Sequence, residues 1–266
     1  MFEILAAIGF AISFAWAWLT GGDEVPLTER SQVILIDSGE ESALGARAFE
    51  EVLSRHRALE GDGADAVREI AARIVKAAEE SFGADYDWRT ELLQDDAANA
   101  FALPGGNIAV LSGLLPVAQN ADGLATVIGH EVAHVIARHS AERLTQQRIA
   151  DLGRLAVAVA LGDMDPGTRQ AVIGALGIGT QFGILMPFSR VHESEADRIG
   201  LVLMAQACFD PREAPELWRR MARAAGDGPP EFMSTHPAPQ SRIENLTGWI
   251  DEALQAREAA GCPPLS

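Results

Sequence analysis

His130-Glu131-Val132-Ala133-His134 places two imidazoles four residues apart, with a carboxylate beside the first. On a helix, residues at that spacing stand one turn above the other, so both rings can reach a single metal ion. Zinc suits such a pair when a carboxylate joins it, because it accepts nitrogen and oxygen ligands tetrahedrally and keeps a water position when only three come from the protein. Glu131 lies off the direct line to the ion. Its longer side chain reaches a water at the edge of the site, where it can take the proton as general base. The plainer alternative for His130 and His134 is a pair of hydrogen-bonded core histidines.

A second segment, Arg190-Val-His-Glu-Ser-Glu-Ala-Asp-Arg-Ile-Gly200, carries Glu193 and Asp197 four residues apart on an expected helix. They share a face that can approach the histidine pair. Glu193 is assigned to the metal and Asp197 to the outer nitrogen of a ligand histidine, whose tautomer it would fix. Glu195 sits about 160° around the helix from both. It reads as a charged helix surface or a structural salt bridge. His139 follows His134 by five residues, about 140° off the ligand face of a continuous helix. His56 and His192 lack a comparable constellation, and all three stay outside the expected ligand set.

These residues need a scaffold, and periodicity supplies one. Residues 41–59 and 64–79 bury one helical face through Leu44, Ala48 and Val52, then Val67, Ile70 and Ile74. Residues 86–93 alternate as a strand. The stretch 99–110 reads as two extended segments joined at Gly105-Gly106, giving a small antiparallel sheet. Helices are expected over 121–141, where Val132, Val135 and Ile136 anchor the motif, and over 144–161, within 168–182 and over 190–205. Another covers 211–225, with Asp210-Pro211 at N-cap and N1, and a last one covers 241–259; 226–239 is a proline-rich loop. The expected class is α+β, predominantly helical, without solenoid repeats.

Apolar residues form 48% of the 266-residue chain, enough for a substantial core. A net charge of −17 disfavours nucleic acid and anionic lipid headgroups as partners. Residues 4–19 are uncharged and apolar, fitting either a membrane anchor or a cleaved signal ending near Ala15-Trp16-Ala17. The apolar run 171–188 reads as a buried or membrane-dipping segment, with a true span as its alternative. Cys208 and Cys262 are the only cysteines. Cys208 reads as a buried free thiol, and pairing with Cys262 would need an oxidising compartment.

The chain resembles the M48 zinc metallopeptidases across roughly 29–250, most of all their small bacterial periplasmic quality-control members. The likeness rests on NAFALPGGNIAVLSGLL at 99–115, IGHEVAHVIARHSAER at 128–143, MPFSR at 186–190, HESEADRIG at 192–200 and STHPAPQSRI at 234–243. It implies a zincin-like metallopeptidase domain over 41–260, preceded by a signal or anchor at 1–20 and a linker region at 21–40, with a tail at 261–266. The same likeness makes His130, His134 and Glu193 ligands of one Zn2+, Glu131 the catalytic base and Asp197 the partner of a ligand histidine. His236 matches a histidine that can cover the metal in a resting form. Arg242 matches an arginine of the active-site wall, able to orient substrate or stabilise negative charge. Residues 99–110 correspond to the cleft edge, suited to pairing with an extended peptide. No cysteine precedes Cys208, which departs from the lipid-anchored members.

The function expected is hydrolysis of peptide bonds in exposed or misfolded envelope proteins. The alternative is a chaperone-like or assembly protein with a structural or gated zinc site. The implied partners are unfolded or extended polypeptides, with membrane contact through 1–20 and 171–188. The implied place is the periplasm, attached to the inner membrane, or soluble there or secreted if 1–20 is cleaved.

Overall fold

The computed structural model describes residues 22–160, 167, 189–224, 231–236 and 241–265. The expectations for residues 1–20, the helix within 168–182, the apolar run 171–188 and most of the loop 226–239 lie outside the described residues. Among those described, no helix is long and apolar enough to cross a membrane.

A short antiparallel pair, β1 (Asp23–Glu24) and β2 (Ser31–Gln32), leads into two helices, α1 (Ser38–Arg55) and α2 (Asp62–Phe82). Asp37 caps α1 by accepting from Glu40 N at 2.9 Å, which satisfies one of the donors left over at a helix start. Three strands follow: β3 (Arg89–Leu93), β4 (Ala100–Leu103) and β5 (Asn107–Leu111), in sheet order β3-β5-β4. The expected hairpin is β4–β5, antiparallel, with Leu103 opposite Asn107. β3 joins the far side of β5 in parallel, a pairing that residue alternation cannot distinguish from an antiparallel one. Gly105 and Gly106 turn the hairpin at φ +82° and +95°, a region costly for any residue with a Cβ.

Beyond the sheet a 3-10 turn and the short α3 (Leu115–Ala118) lead to α4 (Ala121–Ile136), capped by Asn120, which accepts from Gly123 N at 2.7 Å. The helix expected over 121–141 breaks at this point. Arg138 takes φ +53°, and its guanidinium is held by Glu41, Asp23 and the carbonyl of Ile36. Those contacts come from residues about a hundred positions away and offset the local cost of a left-handed conformation. The chain restarts at once as α5 (His139–Ala160).

α6 (Arg190–Gln206) is capped by Ser189, whose Oγ accepts from His192 N at 3.2 Å. α7 (Glu213–Ala224) begins two residues beyond the expected Pro211. Asp210 spends its carboxylate on Arg212, forming a turn in place of a cap. The short α8 (Glu231–Thr235) and α9 (Arg242–Ala259) complete the described elements.

α4 lies at the centre, packed against α6, α2 and α7 and flanked by β4. Its Ile128, Val132 and Ala133 meet Ile199 and Leu203 of α6 in one core cluster; burying a branched aliphatic side chain contributes about 1.5–3 kcal/mol. The two helices touch backbone to backbone at Gly129 and Gly200. A Cβ on Gly200 would stand 2.7 Å from His130 N, and one on Gly129 would stand 2.8 Å from Gly200 O. Only glycine permits that approach. Cys208, just past α6, is disulfide-bonded to Cys262, just past α9, so the free thiol expected at Cys208 is corrected to a cross-link. The pairing is tertiary: α9 packs along α6 and brings the two helix ends together.

Candidate metal centre

The central helix presents His130, Glu131 and His134, α6 presents Glu193 and Asp197, His236 follows α8, and Arg242 opens α9. All seven are buried, none more than 5% exposed. Residues spread over more than a hundred positions thus meet in a pocket from which bulk water is excluded.

Four of them, His130, His134, Glu193 and His236, each offer a donor atom, and those atoms all lie within 4.8 Å of one another. His130 Nε2 is 3.1 Å from His134 Nε2, 3.4 Å from Glu193 Oε2 and 3.3 Å from His236 Nδ1. Glu193 Oε1 is 3.5 Å from His134 Nε2 and 3.2 Å from His236 Nδ1. A tetrahedral zinc with ligand bonds near 2.0–2.1 Å has donor-to-donor edges of about 3.3–3.4 Å. The donor set therefore fits zinc in chemistry, and the contacts of 3.1–3.5 Å bring His130, His134, Glu193 and His236 within reach of one ion.

The outer nitrogens are occupied. His130 Nδ1 meets Asp197 Oδ1 at 3.0 Å, and His134 Nδ1 meets His139 Nδ1 at 2.9 Å. Arg242 ties the acids together, with Nε donating to Asp197 Oδ2 at 2.6 Å and Nη2 to Glu193 Oε2 at 2.7 Å. Its guanidinium carbon lies 3.8 Å above the Trp218 ring, a stacked cation–π arrangement. Nη1 is buried without a hydrogen bond.

Glu131 has two unlike oxygens. Oε2 accepts from Ala102 N on β4 at 2.8 Å, whereas Oε1 makes no hydrogen bond and lies 3.5 Å from His236 Nε2. β4 is the outer strand of its sheet and flanks α4. The carboxylate capable of handling a proton is thus attached to the strand capable of pairing with a peptide.

Burial shapes the charges. It pushes the Glu131 carboxyl above the usual carboxylate range, with partial relief from His236 and His130. Burial also opposes charging of His130, but Asp197 and Glu193 outweigh it and hold that imidazole up at about 9. His134 is driven well below the ordinary histidine value by burial, with His130 and His139 opposing a further positive charge. Burial would raise Glu193, yet bonds from His130, His134 and His236 hold it far below the usual range.

Sequence reasoning missed a neighbouring polar group. His139 joins His134 to Glu195: its Nε2 is 3.1 Å from Glu195 Oε2. Arg30 then bridges Glu195 Oε1 at 2.7 Å and Glu142 Oε2 at 2.7 Å, and Glu142 meets His192 Nε2 at 3.0 Å. Glu195 is therefore a buried salt-bridge member, not a solvated surface charge. The 140° offset assigned to His139 assumed an unbroken helix, and the break at Arg138 cancels it. No glycine or proline marks that break. The HExxH-x4-H spacing of histidines was the available signal.

A family model described as peptidase family M48 matches residues 64–250. Mitochondrial metalloendopeptidase OMA1 of Schizosaccharomyces pombe is 35% identical over 248 residues, covering 92% of this chain and 71% of the relative. Its counterpart in Saccharomyces cerevisiae is 34% identical over 265 residues, covering 91% and 73%. The beta-barrel assembly-enhancing protease of Escherichia coli is 34% identical over 161 residues, which is 57% of this chain and 32% of that protein. The sequence likeness to small bacterial periplasmic members is corrected accordingly: the two relatives above that cover more than nine-tenths of this chain are mitochondrial enzymes.

Proposed function

The chain belongs to peptidase family M48 and is a metalloendopeptidase with a site for one zinc ion; on that premise we propose that His130, His134 and Glu193 hold the ion and that Glu131 is the catalytic base. The carrying observation is the convergence of those three side chains, with the two Nε2 atoms 3.1 Å apart and one Glu193 oxygen 3.4 or 3.5 Å from each. Zinc, when bound, supplies Lewis acidity that polarises the scissile carbonyl and acidifies water. Glu131 takes the proton of the attacking water through Oε1 and delivers it to the departing amine as the C–N bond breaks. Asp197 keeps His130 in the tautomer that presents Nε2 inward. β4 pairs with the extended substrate backbone. Arg242 positions Glu193 and Asp197, and Nη1 is its donor left for substrate or developing negative charge.

His236 gates the site in this reading. It occupies the corner that catalysis needs open, as structural zinc sites do, and it stacks on Phe232 at 4.4 Å between ring centres. That closure also favours the second reading, a chaperone-like or assembly protein with a mainly structural zinc site. His236→Ala separates the two: new or increased cleavage of a short peptide supports the gate, and unchanged inactivity supports the binding protein.

The substrates proposed are exposed or misfolded proteins of the cell envelope. Support comes from the place of the buried donor cluster beside β4, an outer strand of the kind that pairs with extended chains, and from the apolar residues 4–19. The Cys208–Cys262 bond agrees with an oxidising compartment such as the periplasm. The proposed domain runs over 41–260, with 1–20 as signal or anchor and 171–188 as a further membrane contact. Zinc-loaded protein should cleave a denatured polypeptide, with Glu131→Gln reduced to background. Equal activity of the two would overturn the assignment of Glu131, and fractionation after removal of residues 1–20 tests the anchor.

A further inference from the structure

The two histidines at the centre of the site are supported differently. Behind His130 stands a carboxylate in direct contact, Asp197. Behind His134 stands another imidazole, His139, and only behind that a carboxylate, Glu195. Glu195 is fixed in turn by Arg30 Nε at 2.7 Å and Thr28 Oγ1 at 3.1 Å. His139 is fully buried, and its ring stacks on His192 at 4.5 Å between centres with an 18° tilt.

Donor and acceptor requirements run along this row in one direction. A histidine offering Nε2 to a metal must be neutral and carry its proton on Nδ1. That N–H points at His139 Nδ1, which must then be the acceptor. His139 is left with its proton on Nε2, aimed at Glu195, whose ionised oxygen can only accept. Each proton position is thus dictated by the next residue outward, ending at the Arg30 guanidinium, which only donates.

We propose that His139 is a positioning residue for the metal site, fixing the tautomer and ring angle of His134 through a His134–His139–Glu195 relay anchored by Arg30. The inference rests on the assignment of His134 as a zinc ligand. It adds that the affinity and geometry of the site depend on a residue that cannot itself reach the ion. Arg138 makes the relay possible, since its left-handed backbone starts α5 beneath the last turn of α4.

The test compares His139→Phe, His139→Gln, Glu195→Gln and His134→Ala in the full chain, read by zinc affinity in chelator competition and by the visible absorption of the cobalt-substituted protein. Phenylalanine fills the space without nitrogens, so zinc affinity should fall about 10–100-fold, the range for losing a ligand's outer partner, and the cobalt bands should shift. Glutamine offers one acceptor and one donor in a similar span and should restore affinity to within about threefold, a rescue that packing alone would not produce. Glu195→Gln removes the terminal charge with little change in shape, should weaken zinc several-fold, and stands in if His139→Phe fails to fold. Folded His139→Phe, or Glu195→Gln in its place, with wild-type affinity and an unshifted cobalt spectrum would overturn the relay. In that event a His134→Ala variant that loses zinc leaves the ligand assignment standing, whereas one that retains it removes the assignment and the relay together.

Discussion

Glu131 receives a 2.8 Å hydrogen bond from the backbone N–H of Ala102 on the outer strand β4. The proposed base and the proposed peptide-binding strand are therefore coupled before substrate arrives. One carboxylate oxygen is held in place while the other faces the donor cluster without a hydrogen bond. Glu131→Gln keeps an oxygen for Ala102 but loses the basic site. Its kcat should fall by about 10²–10⁴, the usual contribution of a positioned acid–base group, with zinc content unchanged in metal analysis.

His236 sits 3.3 Å from His130 Nε2 and 3.2 Å from Glu193 Oε1, in the fourth donor position. His236→Ala removes the occupant and leaves the three proposed ligands. A closed form favoured by about 1.4 kcal/mol hides about nine sites in ten, so kcat/KM for a short peptide should rise about tenfold. Steady-state kinetics at saturating zinc checks this, and a fall in activity would show that His236 assists the reaction.

Acid should loosen the fold through the two glutamates bridged by Arg30, Glu142 and Glu195. Burial opposes ionisation of Glu142 and Glu195, but the bonds from His192 and Arg30 to the first, and from His139 and Arg30 to the second, hold both down at about 2. The unfolded chain, with ordinary carboxylate values, binds more protons between about pH 4.5 and 2. Their stabilisation is therefore complete above about pH 4.5 and lost as the pH falls toward 2. Thermal unfolding midpoints measured across that interval should drop more steeply in the wild type than in Glu142→Gln, which cannot take up the proton.

The cross-link from Cys208 to Cys262 closes a sequence separation of 54 residues, from the end of α6 to the tail after α9. Chain-entropy arguments assign a loop of this size about 4 kcal/mol, with measured cases at about 2–4 kcal/mol. Cys262→Ser should lower unfolding stability by about that amount in urea titrations under non-reducing conditions. Addition of reductant should lower the wild type to the same level and leave Cys262→Ser unmoved.

Local information made much of the site legible. The pair His130 and His134 falls on one helical face by spacing alone, and Glu193 and Asp197 repeat the device on α6. The hairpin at Gly105-Gly106 was legible because left-handed backbone selects glycine. What escaped was fixed by distant residues. The break after Ile136 has no glycine or proline to announce it, because Arg138 is stabilised by Glu41, Asp23 and Ile36. Of the two readings of Glu195, surface charge or structural salt bridge, the second is the one found, and its partner Arg30 was not legible because it lies 165 positions away. The parallel placement of β3 and the cysteine pairing likewise depend on how helices and strands stack, which periodicity does not encode.

Gly129 against Gly200 leaves the two ligand-bearing helices with no side chain between them at that point. A contact made of main chain has no rotamers to adjust, so the gap between the helices is set like the jaws of a caliper closed on bare metal. A single methyl at position 200, introduced as Gly200→Ala, should pry the jaws apart, cost about 1–3 kcal/mol of stability, and release zinc more readily in equilibrium dialysis although no donor atom has changed. Precision in the assembled centre then comes from the smallest residues in the protein.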